Sequence, residues 1–566
     1  MKEFPHIIKE LKDWPISRFY ANREGVVRKL AEKAKKRIQK DEKKELLNVL
    51  GETIYAEKLR SKSNPLKVDP PKEYSYWKNL ESKLSTGVRV DKDAERIHDE
   101  LLQKIVNRYS EEIVGDFNGK TFKFAIKVLT ILFKILFSPF YSKIHGLFWG
   151  NRETLLDRFD IVGPLDHIRE LFDKGTVMVL PTHSSNLDSI LLGYVMEMKT
   201  GLPFFSYGAG LNLFDYEILA YYMSRLGPYK IDRRKKNPIY SPTLREYSSL
   251  SIEEGLNSIF FPGGTRSRSG ELENVDTMKL GLMNTLIDSQ NEFYMQEDEK
   301  KLIVIPLVIS YQSVLEGSSL IDQHLKRTGK SNYLTGKSGK KKSFRTLRFL
   351  SKLFKNGSTA TFSFGHPMDV FGNPLDKEGR SIKNGKVIDI RGYFQSEDRI
   401  VKDTQRNRVY SRHLSAALSE SYKRENVVLT SNIVSFTAFE VFKNKHPHLD
   451  LYSLLTLPSE YFDFPVDKLC KQVGNVRTTL VAMELNGEIR LSEMVRSRTA
   501  EEIVKDGIHQ LKGYHSRLPL LQKNEIITCE DLKLLFYYHN RLNGYDLEGL
   551  VEVTERSGLK LAKSLY

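Results

Sequence analysis

Between Asn151 and Thr404, short apolar runs alternate with stretches of helical periodicity, and this alternation limits the possible folds more than any other feature. The runs are Val177–Leu180, Tyr229–Ile231, Ser258–Phe261, Leu302–Ile309 and Thr359–Phe364. Short runs rich in β-branched residues and bounded by turn residues read as strands. Strands separated by helices imply an α/β domain over residues 151–404, its mixed sheet covered by helices on both faces. Residues 1–118 read instead as a charged helical region, with Ala31–Leu50 as one helix and Asp93–Val114 as another. The paired prolines of KSNPLKVDPPKEYSYW break the pattern between them. Residues 405–566 read as a helical C-terminal region, with helices at Val428–Phe442 and Ala500–Tyr514.

Residues 119–150 form a basic amphipathic segment. Lys120, Lys123, Lys127 and Lys134 fall within about 60° of one another on a helical wheel, and Phe, Ile, Leu and Val fill the other faces. A spanning helix wants ~20 largely apolar residues, and these lysines interrupt every such window. The expectation is a helix lying in a membrane interface, with its lysines on anionic headgroups. Arg327–Lys342 reads as a Gly/Ser/Lys-rich surface insertion and Ser343–Phe354 as a basic amphipathic helix. The net charge of +16 favours acidic partners. The lysines cluster with aliphatic residues and no aromatic-lined recognition motif is visible, so no nucleic acid is expected. The chain has two cysteines, Cys470 and Cys529, outside any CxxC pair. No metal site or disulfide framework is expected, and a reducing compartment is. The opening MKEFPHIIKELKDWP lacks the apolar core of a signal peptide. The expected location is the cytoplasmic face of a membrane, peripherally held.

Two stretches carry chemistry. Pro181–Ser189, PTHSSNLDS, follows the run Val177–Leu180 and sets His183 and Asp188 five residues apart. On a regular helix such residues are ~140° out of phase. The spacing makes sense if His183 lies in the turn leaving a strand and Asp188 in the first turn of the next helix, capped by Ser184, Ser185 or Asn186. Asp188 would then hold the imidazole Nδ1–H and leave the other nitrogen to accept a proton from an alcohol. The second stretch is Phe261–Gly270, FPGGTRSRSG. Gly263 and Gly264 permit close backbone approach, and Arg266 and Arg268 flank Ser267 as a phosphate cradle. Tyr229–Arg234 ends a strand in charges, and Ile305–Tyr311 is a buried strand that would also wall an acyl chain. TGKSGKKK at Thr335–Lys342 resembles a P-loop, but Ser331 stands where the first glycine belongs.

These blocks, in this order, resemble the glycerolipid acyltransferase superfamily. His183–Asp188 resembles its HxxxxD block, Gly227–Arg234 its second, Gly263–Gly270 its third and Val304–Tyr311 its proline-containing fourth. Ala209–Asn212, Pro238–Tyr247, Lys279 with Gly281, Ser363–Pro367 and Leu534–Arg541 extend the likeness toward the large glycerol-3-phosphate and dihydroxyacetone-phosphate acyltransferases. The resemblance implies a glycerol-3-phosphate acyltransferase-like fold. It implies His183 and Asp188 as catalytic, and Arg233, Gly264, Thr265, Arg266, Ser267, Arg268, Lys279 and Pro306 as substrate-binding.

The implied activity is transfer of an acyl group from an acyl thioester to the sn-1 hydroxyl of glycerol 3-phosphate. The thioester, acyl-CoA or acyl carrier protein, is a co-substrate, and no bound cofactor is required. The alternative acceptors are lysophosphatidate and dihydroxyacetone phosphate. One departure stands out: Gly263 occupies a position where the family usually has glutamate, whose contribution would be absent or supplied elsewhere, Glu271 being the candidate. Gly263 is also the argument for a catalytically silent lipid-binding scaffold.

Overall fold

The computed structural model describes residues 4–41, 45–88, 94–137, 156–211, 224–328, 359–513 and 515–551. Its centre is a sheet of seven strands: β1 (Phe159–Val162), β2 (Gly175–Pro181), β3 (Ser206–Gly210), β4 (Pro228–Ile231), β5 (Ser258–Ile259), β6 (Lys301–Tyr311) and β7 (Ala360–Phe364). Their order is β1-β7-β6-β2-β5-β3-β4. Neighbours run parallel except β6 and β7. The sheet is therefore mixed, as expected, and helices cover both faces.

Side-chain alternation explains the two-sided burial. In β2, Val177 and Val179 enter one apolar cluster while Met178 and Leu180 enter another. In β6, Ile303, Ile305, Leu307 and Ile309 join the first cluster, and Leu302, Val304 and Val308 the second. The Leu280–Met295 and Thr404–Glu425 helices cover the second face. The Asp188–Val195 helix buries Leu191, Leu192 and Val195 in the first.

Two strands of this sheet escape sequence reading, as do the short hairpin strands between Ser381 and Ile400. β1 has only four residues, and β3 is the glycine-rich SYGAG, without an apolar run. The expected strand at Ser258–Phe261 ends at Ile259, freeing Phe260 and Phe261 for the loop beyond. The expected single helix Ala31–Leu50 is described as two, Arg23–Asp41 and Leu46–Ser63, the second opening after the non-helical Glu45. The C-terminal region is mainly helical, with Thr430–Lys445 and Ala500–Leu511 near their expected places. It also holds strand pairs of two or three residues, too short for a period-2 signal.

The N-terminal helices share the core of the sheet domain. Arg37 and Lys33 pair with Glu246 and Glu253 of the Tyr240–Glu253 helix, and Tyr20 shares a 2.8 Å hydrogen bond with Tyr247. Just after β4, Arg234 binds Asp69 at 2.5 Å and Asp232 at 2.7 Å, and donates to the Asn64 carbonyl at 2.8 Å. Arg234→Ala would leave two largely buried carboxylates without this partner. The expected loss is about 3 kcal/mol of stability, measured as a lowered urea midpoint. Exposed Arg233→Ala is expected to change stability by less than ~0.5 kcal/mol.

The basic segment forms the helix Gly119–Phe137. Phe122 and Ala125 are buried on the core, and Phe124, Val128 and Ile131 are exposed beside Lys120, Lys123 and Lys127. Among the described residues no helix is long and apolar enough to cross a membrane. The end of this segment (138–150), the Lys134 side chain, Asn212, the insertion from residue 329 onward and the expected helix Ser343–Phe354 lie outside the described residues.

Candidate active site

β2 ends at Pro181, and the loop that leaves it is fixed at once to β6. Thr182 donates its N–H to the Leu307 carbonyl at 2.9 Å, and its Oγ1 accepts the Ile309 N–H at 3.1 Å. His183 follows in the turn and Asp188 opens the next helix, as the spacing predicts. Their side chains meet, with Nδ1 2.8 Å from an Asp188 oxygen. Asp188 has no solvent exposure. The same oxygen accepts the N–H groups of Ser184 at 2.7 Å and Ser185 at 2.8 Å, and the other accepts the Tyr311 hydroxyl at 2.6 Å. Four donors thus hold a buried carboxylate that would otherwise be costly. The expected cap by Ser184, Ser185 or Asn186 is absent: the N-cap is Leu187, with no side-chain cap. Asp188 reaches back to the loop amides instead.

The arginine loop lies over this turn. Phe261 stacks on the His183 ring with centroids 4.1 Å apart. Ser267 donates its N–H to the His183 carbonyl at 2.7 Å. Gly264 has φ +66°, a conformation that favours glycine, and its carbonyl accepts Arg233 at 2.9 Å. His183, Asn186, Arg233, Gly264, Thr265, Arg266 and Arg268 line one cavity of 190 Å³ with Gly208, Gly210, Tyr229 and Ile231 of β3 and β4. Burial weakens the hold of Arg268 on its proton, and Arg327, Arg266 and Arg233 weaken it further. Gathered positive charge of this kind is relieved by a bound anion.

Three residues named from the sequence fall elsewhere. Ser267 spends its hydroxyl on the Glu271 carbonyl at 2.8 Å, so it shapes the loop and is not among the cavity's lining residues. Pro306 is buried in mid-β6 opposite Leu180, because the strand is covered on both faces, and it too is absent from the lining. Lys279 is exposed beside the cavity, its chain alongside Gly264. Glu271, the candidate for the missing glutamate, is turned away: its oxygens accept Asn543 at 2.9 Å and Ser269 at 3.1 Å. The carboxylate next to Gly263 belongs to Glu273, which accepts the His183 N–H at 2.8 Å.

Sequence reading also misses Glu316, which opens the Gly317–Arg327 helix. It accepts Ser185 Oγ at 2.9 Å and the Asn186 N–H at 3.0 Å, and pairs with Arg266 at 3.2 Å. Glu316 therefore ties the histidine loop to the cradle. From the C-terminal region, Asn540 donates to the Ser269 carbonyl at 2.9 Å. Buried Arg541 donates to the Ile309 carbonyl at 3.2 Å and to Asn426 at 2.8 Å. A larger hollow of 840 Å³ lies between the N-terminal helices and β4, with neither His183 nor the arginine loop among its lining residues.

Residues 162–310 match the family model described as Acyltransferase. That span contains His183, Asp188 and the arginine loop, and ends just before Tyr311 and Glu316. A glycerol-3-phosphate acyltransferase of Pseudomonas paraeruginosa (strain DSM 24068 / PA7) is 24% identical over 284 residues, 50% of this chain and 29% of the relative. One from Baumannia cicadellinicola subsp. Homalodisca coagulata is 29% identical over 212 residues, 37% of this chain and 22% of the relative. One from Ectopseudomonas mendocina (strain ymp) is 25% identical over 284 residues, 50% and 30%. The chain thus matches under a third of the length of these curated relatives.

Proposed function

We infer from the acyltransferase domain at residues 162–310, which the comparisons support as one of the glycerolipid acyltransferase superfamily, that this chain acylates the sn-1 hydroxyl of glycerol 3-phosphate from an acyl thioester. One observation carries this reading. A histidine whose Nδ1 is held by a buried aspartate lines the same cavity as three arginines. An alcohol is a poor nucleophile at neutral pH and needs a base; a phosphate needs fixed cations.

The steps balance without a further reactant. His183 Nε2 takes the hydroxyl proton while Nδ1–H stays donated to Asp188. The alcohol oxygen attacks the thioester carbonyl carbon and a tetrahedral oxyanion forms. Its collapse breaks the C–S bond, and the proton on Nε2 passes to the leaving thiolate. Arg233, Arg266 and Arg268 hold the phosphate, with Lys279 at the rim. The thioester is acyl-CoA or acyl carrier protein. The lysines and exposed apolar residues of the Gly119–Phe137 helix support a peripheral seat on an anionic membrane, at its cytoplasmic face.

Arg268→Ala and Arg266→Ala are each expected to raise KM for glycerol 3-phosphate about 10–100-fold, the worth of one charge-assisted contact, with kcat within ~3-fold. Steady-state kinetics check this. An unchanged KM in both variants would remove the phosphate assignment.

A further inference from the structure

The His183 main chain is gripped on both sides. Its carbonyl accepts the Ser267 N–H, and its N–H is donated to Glu273 at 2.8 Å. Glu273 is 5% exposed, and the chemistry proposed above gives it no step. Beside it in the arginine loop is Gly263. A Cβ built there would lie 3.3 Å from the Thr265 carbonyl oxygen, 3.4 Å from Glu273 Cγ and 3.7 Å from Glu273 Oε1. Gly263 does not have a positive φ, so its backbone does not demand glycine. The space beside it is bounded by the Thr265 carbonyl and by the Glu273 side chain.

We propose that Glu273 is a positioning residue for His183, holding the main chain of the base, and that it supplies beside Gly263 a carboxylate which that glycine cannot. The proposal rests on His183 being the base. It predicts that a carboxylate supplied from position 263 can stand in for Glu273 as that acceptor.

The setting gives the carboxylate a pH-sensitive grip. Burial pushes Glu273 up to about 7, against the pull of the His183 backbone N–H, of the His183 ring and of Arg541. The groups facing it are His183 from the loop after β2, Arg541 from the C-terminal region and Tyr422 from the Thr404–Glu425 helix. An ionised acceptor binds an N–H more strongly than a neutral one. The grip on His183 therefore tightens as pH rises through about 7. Stability runs the other way. The raised folded-state value means the native state holds the extra proton between 4.5 and about 7, so this contribution is present at low pH and is lost as pH rises through that window.

The test compares wild type, Glu273→Gln, Glu273→Ala, Glu273→Ala with Gly263→Glu, and His183→Ala in full-length protein, with palmitoyl-CoA or palmitoyl carrier protein and glycerol 3-phosphate over pH 6–8. Glu273→Ala is expected to lose about 100-fold in kcat, the scale of a misplaced catalytic group, with KM for the acceptor within ~3-fold. Adding Gly263→Glu recovers at least about tenfold. Glu273→Gln keeps one acceptor oxygen, so it folds and retains activity, and the ratio of wild-type to Glu273→Gln kcat rises across pH 7. Wild-type kcat in a folded Glu273→Ala, or no recovery by Gly263→Glu, overturns the proposal while His183→Ala is inactive. If Glu273→Ala does not fold, a flat kcat ratio in Glu273→Gln overturns it. An active His183→Ala would instead overturn the base assignment itself.

Discussion

Replacing His183 by alanine is expected to lower kcat about 10²–10⁴-fold, the usual worth of general-base help, and to leave KM for the phosphorylated acceptor within ~3-fold. The proposed roles separate the two constants. His183 would supply the proton acceptor and Arg233, Arg266 and Arg268, lining the same cavity, the anion site. Folding is expected to survive. Asp188 loses one donor but keeps the Ser184 and Ser185 N–H groups and the Tyr311 hydroxyl. Circular dichroism and a melting curve close to wild type, together with the lost turnover, check this. A fully active variant would sink the mechanism.

Asp188→Asn carries the second large effect, and its size distinguishes two roles. One Asp188 oxygen takes three donors, His183 Nδ1 and the two serine N–H groups, and the other takes only the Tyr311 hydroxyl. An asparagine can place its carbonyl oxygen at the first position and turn its NH₂ toward Tyr311, whose hydroxyl rotates to accept. The histidine tautomer is then kept and only the negative charge is lost. The expected fall in kcat is about 10²–10³-fold, the scale of losing one electrostatic stabiliser. A fall of ~10⁴ would point to the wrong tautomer instead. Adding Tyr311→Phe removes the acceptor for the NH₂ and is expected to cut kcat further. The kcat values of the single and double variants read this directly.

The parts of the site legible in the sequence are those that local rules govern. A strand, a turn and a helix start explain why His183 and Asp188 meet across five residues, and the glycines around Arg266 announce a loop that approaches a ligand. The alternating runs also announced the sheet, though not β1 or the glycine-rich β3. What failed is governed by packing between distant segments. Tyr311 reaches Asp188 across 123 residues, Glu273 reaches His183 across 90 and Arg541 reaches Ile309 across 232. No spacing rule connects such pairs. Ser267 sits between two arginines that line the cavity, while its own polar groups close the loop, which spacing cannot show. Pro306 lies in a strand covered on both faces and is not among the cavity's lining residues, which the sequence pattern alone does not distinguish. The charged N-terminal helices read as a separate region, yet their lysines and arginines meet the glutamates of the Tyr240–Glu253 helix.

The most direct measurement is product identity when purified full-length protein is offered palmitoyl-CoA or palmitoyl carrier protein with labelled glycerol 3-phosphate, dihydroxyacetone phosphate and lysophosphatidate in competition. The account predicts that labelled glycerol 3-phosphate becomes 1-acyl lysophosphatidate, and that His183→Ala abolishes the product. Phosphatidate formed from lysophosphatidate alone would contradict glycerol 3-phosphate as the acceptor. No transfer with any donor or acceptor would contradict the enzyme.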